Sequence, residues 1–180
     1  YFASLKFLMI KKIKQNIGVL VIGGGASGMM AAGRAAECGK QVVLLEKNKA
    51  LGEKLKITGG GRCNITNAEN DTKKLLSYYG EAEKFLYTPF SLFGVEKTFN
   101  FFESQGVPLM IENEKRVFPK SEKAMDVFLA LEKYLKDNKV QIYFKSPVLD
   151  IIFKKDLIVE VQTATHIFYP KKVILATGGV

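Results

Sequence analysis

The chain has 180 residues, 47% hydrophobic and 25% charged, with a net charge of +9, a make-up that gives a folded domain with a sizeable core and excludes a low-complexity or disordered chain. No apolar run reaches the roughly 18 residues that a membrane span requires, and two cysteines, Cys38 and Cys63, are too few for a disulfide framework, which points to a reducing cytoplasm. The lysines are dispersed in small groups (Lys11, Lys12 and Lys14; Lys154 and Lys155; Lys171 and Lys172) and the arginines are only Arg34, Arg62 and Arg116, so the positive charge reads as solvated surface and nucleic acid is not an expected partner.

Residues 1–16 read as a leader. Tyr1–Ile10 is apolar but lacks a basic start and a small-residue cleavage site, so a secretory signal is not expected, and Met9 offers an alternative start. Gly18–Ile22 is short, aliphatic and β-branched, the pattern of a fully buried strand. Directly after it stand Gly23, Gly25 and Gly28, a G-x-G-x-x-G turn, with Ala26 and Ser27 between the last two glycines. An Ala-rich helix over Ala26–Cys38 follows, closed by Gly39, and Gln41–Glu46 predicts a second buried strand. Strand, glycine turn, helix and strand make a βαβ unit with parallel strands. Its helix N-terminus is suited to a dinucleotide pyrophosphate, because unpaired N–H groups and the positive dipole end face the anion. Glu46, closing the second strand, is placed to accept hydrogen bonds from an adenosine ribose, and the same carboxylate would repel the 2′-phosphate of NADP.

Leu51–Asn64 contains three consecutive glycines, Gly59–Gly61, which core packing does not explain. They suit a loop that turns its N–H groups inward toward a ligand or a second backbone, with Lys54, Thr58, Arg62, Cys63 and Asn64 beside it. Residues 17–68 thus form the βαβ unit and this loop. Residues 69–120 predict a mostly helical insertion, with Pro89 starting a helix over Phe90–Ser104 and a hairpin over Val107–Phe118 that turns at Glu112-Asn113-Glu114. Residues 121–180 predict a helix capped by Ser121 and running to Asp137, with Ala124, Val127, Phe128, Leu131 and Leu135 on one face. Strands over Val140–Phe144, Val148–Phe153, Leu157–Thr163, His166–Tyr169 and Val173–Ala176 follow, and the last leads into Thr177-Gly-Gly179. His166, the single histidine, has no ligand-type residues near it at metal-binding spacing, so no metal site is expected.

The glycine turn with Glu46-Lys47, the run Lys56-Ile-Thr-Gly-Gly-Gly-Arg-Cys-Asn64, the segment Arg116–Ala124 and the run Val173–Gly179 together resemble the two-dinucleotide-binding flavoproteins that include glutathione reductase. Within that superfamily the chain is similar to the BaiN/YhiN-type NAD(P)/FAD-dependent oxidoreductases, also called aminoacetone-oxidase-like. The resemblance implies an α/β, Rossmann-like FAD/NAD(P)-binding domain with a parallel sheet, a β-meander crossover and a helical insertion. It implies FAD lying across Gly23, Gly25, Ala26, Ser27 and Gly28, with Glu46 on the ribose and Lys47 beside it. Backbone at Val148 would meet the adenine, and Ala176, Thr177 and Gly178 would pass the pyrophosphate. Lys54, Thr58, Gly60, Gly61, Arg62, Cys63 and Asn64 would approach the phosphates and the flavin end. NAD(P)H is the implied electron donor, and a small molecule the implied substrate. Members of that family are longer, so the chain is expected to be the adenine-side, incomplete portion of such an enzyme, inactive alone. No Cys-x4-Cys pair is present, which argues against dithiol chemistry. Cys63 lacks a neighbouring histidine and is expected to pack or to touch cofactor, and no catalytic residue is assigned. The competing readings are an NAD-binding dehydrogenase domain and a tRNA-modifying flavoprotein of the same superfamily.

Overall fold

The computed structural model describes residues 12–179. The first eleven residues of the expected leader, with Met9 and Lys11, and Val180 lie outside the described residues. The chain forms two compact units, one built from the residues up to Leu51 together with those from Asn138 onward, the other from Gly52–Asp137.

The first unit is organised by a six-stranded sheet. Strand β1 (Ile13–Ile22) leads through the glycine turn into helix α1 (Ala26–Glu37), and β2 (Val42–Leu45) returns beside β1 in parallel, with Val19 opposite Val42 and Ile22 opposite Leu45. Leu20, Val21, Val43 and Leu44 are wholly shielded from solvent, each worth about 1.5–3 kcal/mol of burial, as expected for parallel strands covered on both faces. Helix α1 buries Gly28, Met29, Ala32 and Gly33, residues small enough or flexible enough to let it lie close. It ends with Cys38 as C-cap and Gly39 at φ +74°, the left-handed residue read from the sequence.

The second unit starts with a short helix α2 (Glu53–Ile57), the triple-glycine run and strand β3 (Thr66–Asn67). Helices α3 (Thr72–Ser77), α4 (Glu83–Leu92) and α5 (Val95–Ser104) then precede the hairpin of β4 (Leu109–Ile111) and β5 (Arg116–Pro119) and the helix α6 (Ala124–Asp137). Strands β3, β5 and β4 form an antiparallel sheet in that order. Asp71 caps α3 by accepting from Lys74 N–H at 3.1 Å, and α6 buries Ala124, Val127, Phe128, Leu131 and Leu135 along the predicted face.

Back in the first unit, β6 (Gln141–Tyr143) adds to β2 in parallel. Strands β7 (Asp150–Lys154), β8 (Leu157–Gln162) and β9 (His166–Leu175) form an antiparallel meander, and β9 returns parallel to β1. The sheet order is β6-β2-β1-β9-β8-β7, so a meander stands where a helical crossover would otherwise connect two parallel strands. The expected Rossmann-like sheet with a meander crossover and a helical insertion is present.

Four local readings are corrected. Residues 13–16, expected in the leader, belong to β1 and pair with β9, Ile13 opposite His166 and Asn16 opposite Tyr169. Pro89 does not start a helix: it lies inside α4, and the break falls at Phe93–Gly94, where Phe93 leaves the helical region (φ −144°, ψ 76°) and Gly94 caps α5. Pro89 and Phe85 are both exposed, so the carbonyl that loses its N–H partner stands where water reaches it. Ser121 does not cap α6, since its hydroxyl accepts from Lys123 N–H at 3.4 Å ahead of the helix, which begins only at Ala124. The two strands expected on either side of Pro170 are one strand, β9. Pro170 stands opposite Ile17 in the β1 ladder, and the β8 pairs end at Phe168, so no β8 bond is asked of its missing N–H.

Candidate functional site: a glycine turn and a triple-glycine run

In the first unit, the ends of three parallel strands meet at the glycine turn. Gly23 N–H donates to the Leu45 carbonyl at 2.9 Å and Ala176 N–H donates to the Ile22 carbonyl at 2.8 Å, which pins the turn between β2 and the residue after β9. Gly23 has φ +108°, and a Cβ there would overlap the Ala176 carbonyl, so only glycine fits. A Cβ on Gly28 would overlap the Gly23 carbonyl oxygen. Gly25 differs from both: it is exposed, its φ of −77° suits any residue, and a Cβ there would meet nothing within 4 Å. The space beside Gly25 is the open side of the cradle.

Gly25 is the N-cap of α1, no side chain caps it, and the first turn carries no acidic residue. Ala26 and Ser27 are exposed there. A helix N-terminus with these properties offers N–H donors and a partial positive charge to an anion.

Glu46 is buried to 7% exposure at the end of β2, and its carboxylate is held by main-chain donors on both oxygens. Gly24 N–H donates to Oε2 at 2.7 Å and Asn48 N–H to Oε1 at 2.8 Å. A Cβ on Gly24 would lie 2.8 Å from that same Oε2 and would overlap the side chain of Leu51, itself 2% exposed. The connection after β6 closes on the same strand end, with Ser146 N–H donating to the Glu46 carbonyl and Lys145 N–H to the Asn48 carbonyl, both at 2.9 Å. Val148, two residues on, packs part-buried against the sheet core, whereas Lys47, Thr177 and Gly178 are exposed. The structure therefore brings Gly23, Gly28, Glu46 and Ala176 together, with Gly24, Asn48 and Leu51 beside them. The sequence held one signal for the first of these, since Gly24 is a third consecutive glycine where the motif requires only its neighbours.

The second unit holds the triple-glycine run. Gly59, Gly60 and Gly61 take φ of 57°, 67° and 85°, and Cys63 also lies in the left-handed region at 63°. A Cβ on Gly60 or Gly61 would meet nothing, while one on Gly59 would lie 3.0 Å from Asn64 N. Thr58 Oγ1 donates to the Leu55 carbonyl at 2.8 Å, and Lys54 and Asn64 are exposed. Cys63 is 3% exposed; burial pushes its thiol pKa up, partly offset by a hydrogen bond with Thr58, so it is a protonated packing residue at neutral pH. Arg62 is bound to Glu112 and Glu122 and stacked on Phe118, and those hydrogen bonds raise its already high pKa. Sequence reasoning gave no sign of these partners. Among the described residues, no group of three His, Cys, Asp or Glu side chains is arranged to hold a metal ion, and no helix is long and apolar enough to cross a membrane.

A family described as the HI0933-like protein Rossmann domain matches residues 17–180. The 3-dehydro-bile acid delta(4,6)-reductase of Clostridium scindens is 35% identical over 162 residues, covering 88% of this chain and 38% of that protein. The ribosomal RNA dihydrouridine synthase of Escherichia coli is 40% identical over 53 residues, or 29% of this chain and 13% of that protein. Among solved structures, the 3-ketosteroid-delta4-(5alpha)-dehydrogenase from Rhodococcus jostii RHA1 superposes with a TM-score of 0.73 over 94% of this chain and 47% of that one; at 16% identity the likeness is one of fold. The chain thus spans less than half the length of each of these proteins. With its glycine turn, parallel sheet and meander in place, the chain belongs to the HI0933-like family, the FAD-dependent oxidoreductases of the BaiN/YhiN type, and carries the Rossmann portion of such a flavoprotein.

Proposed function

We propose that this chain supplies the adenosine-diphosphate cradle for FAD in a cytoplasmic oxidoreductase that draws electrons from NAD(P)H and reduces a small organic molecule. The observation that carries the reading is the Glu46 carboxylate, fixed by Gly24 and Asn48 N–H beside an uncapped helix N-terminus with open space at Gly25. The residues fit the group. The turn at Gly23–Gly28 would hold the pyrophosphate, Glu46 would accept from the ribose hydroxyls through its remaining lone pairs, and Val148 and Ala176–Gly178 would flank the adenosine and pyrophosphate. When bound, the flavin supplies the two-electron chemistry, and the protein contributes position and electrostatics. A 2′-phosphate on a ribose held by Glu46 would be repelled by the carboxylate, which favours FAD over NADP here. Reduction of a small molecule is supported by the name of the Clostridium scindens relative, a bile-acid reductase. The unpaired cysteines, Cys38 exposed and Cys63 buried, accord with a reducing compartment.

The test uses the full-length protein that contains this chain. Purified and reconstituted, it is expected to retain FAD with its visible absorbance, and Glu46→Ala is expected to raise the FAD dissociation constant about ten- to hundredfold, the loss of charged hydrogen bonds worth roughly 1.5–3 kcal/mol. Tight NAD binding with no retained flavin would overturn the reading in favour of a dehydrogenase domain.

A second reading takes an RNA base as the substrate. The 53-residue match to a ribosomal RNA dihydrouridine synthase favours it, and the net charge of +9 permits it.

A further inference from the structure

Arg62 is the cation of the triple-glycine run, and its charge is already matched twice. Nη1 lies 2.8 Å from Glu112 Oε1 and 2.8 Å from Glu122 Oε1, and Nη2 lies 3.3 Å from Glu112 Oε2. Its guanidinium carbon stands 4.2 Å from the centroid of the Phe118 ring, a stacked cation–π placement. One guanidinium engaged by two carboxylates has its positive charge already compensated, which leaves little to attract a phosphate. Phe118 is 2% exposed, and a Cβ on Gly59 would touch the same ring at 3.4 Å, so the aromatic floor under Arg62 also underlies the first glycine. The partners come from two separate places: Glu112 at the hairpin turn and Phe118 in β5, then Glu122 ahead of α6. The run needs such ties. Glycine loses more conformational freedom on ordering than any other residue, and here three in succession, with Cys63 close behind, hold φ above 55°.

We infer that Arg62 is a positioning residue: through Glu112, Glu122 and Phe118 it holds the triple-glycine run in its left-handed course, and it is not a phosphate ligand. This rests on the reading that the chain serves FAD and that the triple-glycine run takes part in holding it, because part of the effect is read on bound flavin.

The experiment compares Arg62→Ala, Arg62→Lys, Glu112→Gln and the double variant Arg62→Ala/Glu112→Gln in the full-length, FAD-reconstituted protein. Three quantities are measured: the FAD dissociation constant, the visible circular dichroism of the bound flavin, and amide hydrogen exchange over residues 59–64. Arg62→Ala and Glu112→Gln are expected to weaken FAD binding in the same direction, by about tenfold, and to alter the dichroism, since small displacements of a positioning element are felt at the site. The double variant is expected to lose no more than the weaker-binding single, because Arg62→Ala already removes the pair that Glu112→Gln breaks. Arg62→Lys keeps the charge without the planar fork and is expected to fall between, and it serves in place of Arg62→Ala if that variant does not fold. A direct phosphate ligand behaves oppositely: Glu112→Gln, by freeing Arg62 and removing a competing charge, would leave FAD affinity unchanged or raise it, and that result overturns the inference. Lower thermal stability with unchanged affinity and dichroism also overturns it, leaving a tie of purely structural kind. If the wild-type protein holds no flavin, the FAD reading fails, and exchange alone decides the clamp. Faster exchange over residues 59–64 in Glu112→Gln supports it, and unchanged exchange rejects it.

Discussion

Gly25 and Gly28 stand three residues apart in one turn and answer to different constraints. A Cβ on Gly28 would overlap the Gly23 carbonyl, so Gly28→Ala must open the turn; overpacking of this kind costs about 1–3 kcal/mol and falls on the folded state itself. Gly25→Ala meets nothing and adopts an ordinary φ, so its methyl enters only the open space in which the proposed FAD pyrophosphate would lie. The expected outcome is a folded Gly25→Ala protein with an unchanged melting temperature and FAD affinity reduced at least about tenfold, equivalent to roughly 1.4 kcal/mol. Gly28→Ala is expected to lower the melting temperature before any ligand is added. Thermal melts of the flavin-free proteins followed by FAD titration separate the two. Glu46 yields a sharper contrast. Both of its oxygens accept from main-chain N–H groups, so Glu46→Gln must turn an NH2 toward one of those donors. It is expected to destabilise the flavin-free protein by about 1–3 kcal/mol, as an unsatisfied buried donor does, whereas a carboxylate serving ribose alone would leave denaturation unchanged.

Between elements, the carboxylate of Glu69 joins the connection after β3 to the hairpin turn and to α3. Lys115 Nζ lies 2.7 Å and Lys74 Nζ 3.1 Å from Glu69 Oε2, and Asp71 N–H donates to Oε1 at 3.3 Å. The hydrogen bond from Lys115, then that from Lys74, pulls its pKa from the ordinary 4.5 down to about 2. A depressed carboxylate pKa means that the folded state favours the ionised form. The resulting stability is complete above pH 4.5 and is lost as pH falls from there toward 2. Denaturant midpoints measured across that window are expected to fall more steeply in the wild type than in Glu69→Gln, which has no carboxylate to protonate. Legibility from sequence divides at this scale. The first strand's core, α1, β2, the hairpin and the meander were readable because periodicity and turn residues act within a few positions. The continuation of α4 through Pro89 and of β9 through Pro170 was not, because a proline's tolerance depends on whether its missing N–H has a partner waiting, which is set by exposure and by neighbouring strands. Arg62 lies 50 and 60 residues from the two carboxylates that bind it, and Glu69 lies 46 from Lys115; no local pattern registers such pairs. The meeting of the glycine turn with Glu46 was legible for the opposite reason: both stand within one βαβ unit of about 30 residues.

For the molecule as a whole, the source of the net charge of +9 separates the two functional readings. Dispersed lysines attract RNA only through the loose, screened field of a positive body, whereas a substrate-binding face neutralises a definite set of phosphates and releases their counterions. The two cases differ in how binding depends on salt. For single-stranded RNA the slope of log affinity against log salt is about −0.7 per phosphate contacted, so a face engaging about six phosphates would show a slope near −4 together with measurable affinity at about 0.15 M salt. The small-molecule reading predicts that a ribosomal RNA fragment dissociates from the full-length protein by that salt concentration and does not accelerate its oxidation of NAD(P)H. Filter binding across a salt series, with NADH and NADPH absorbance followed in parallel, measures both. Retained binding at about 0.15 M salt with RNA-dependent oxidation of the donor would transfer the proposal to an RNA base. The full-length protein is essential to this measurement, because the chain covers 38% of the bile-acid reductase it resembles, and a substrate face carried by the remaining length would escape an experiment on these 180 residues alone.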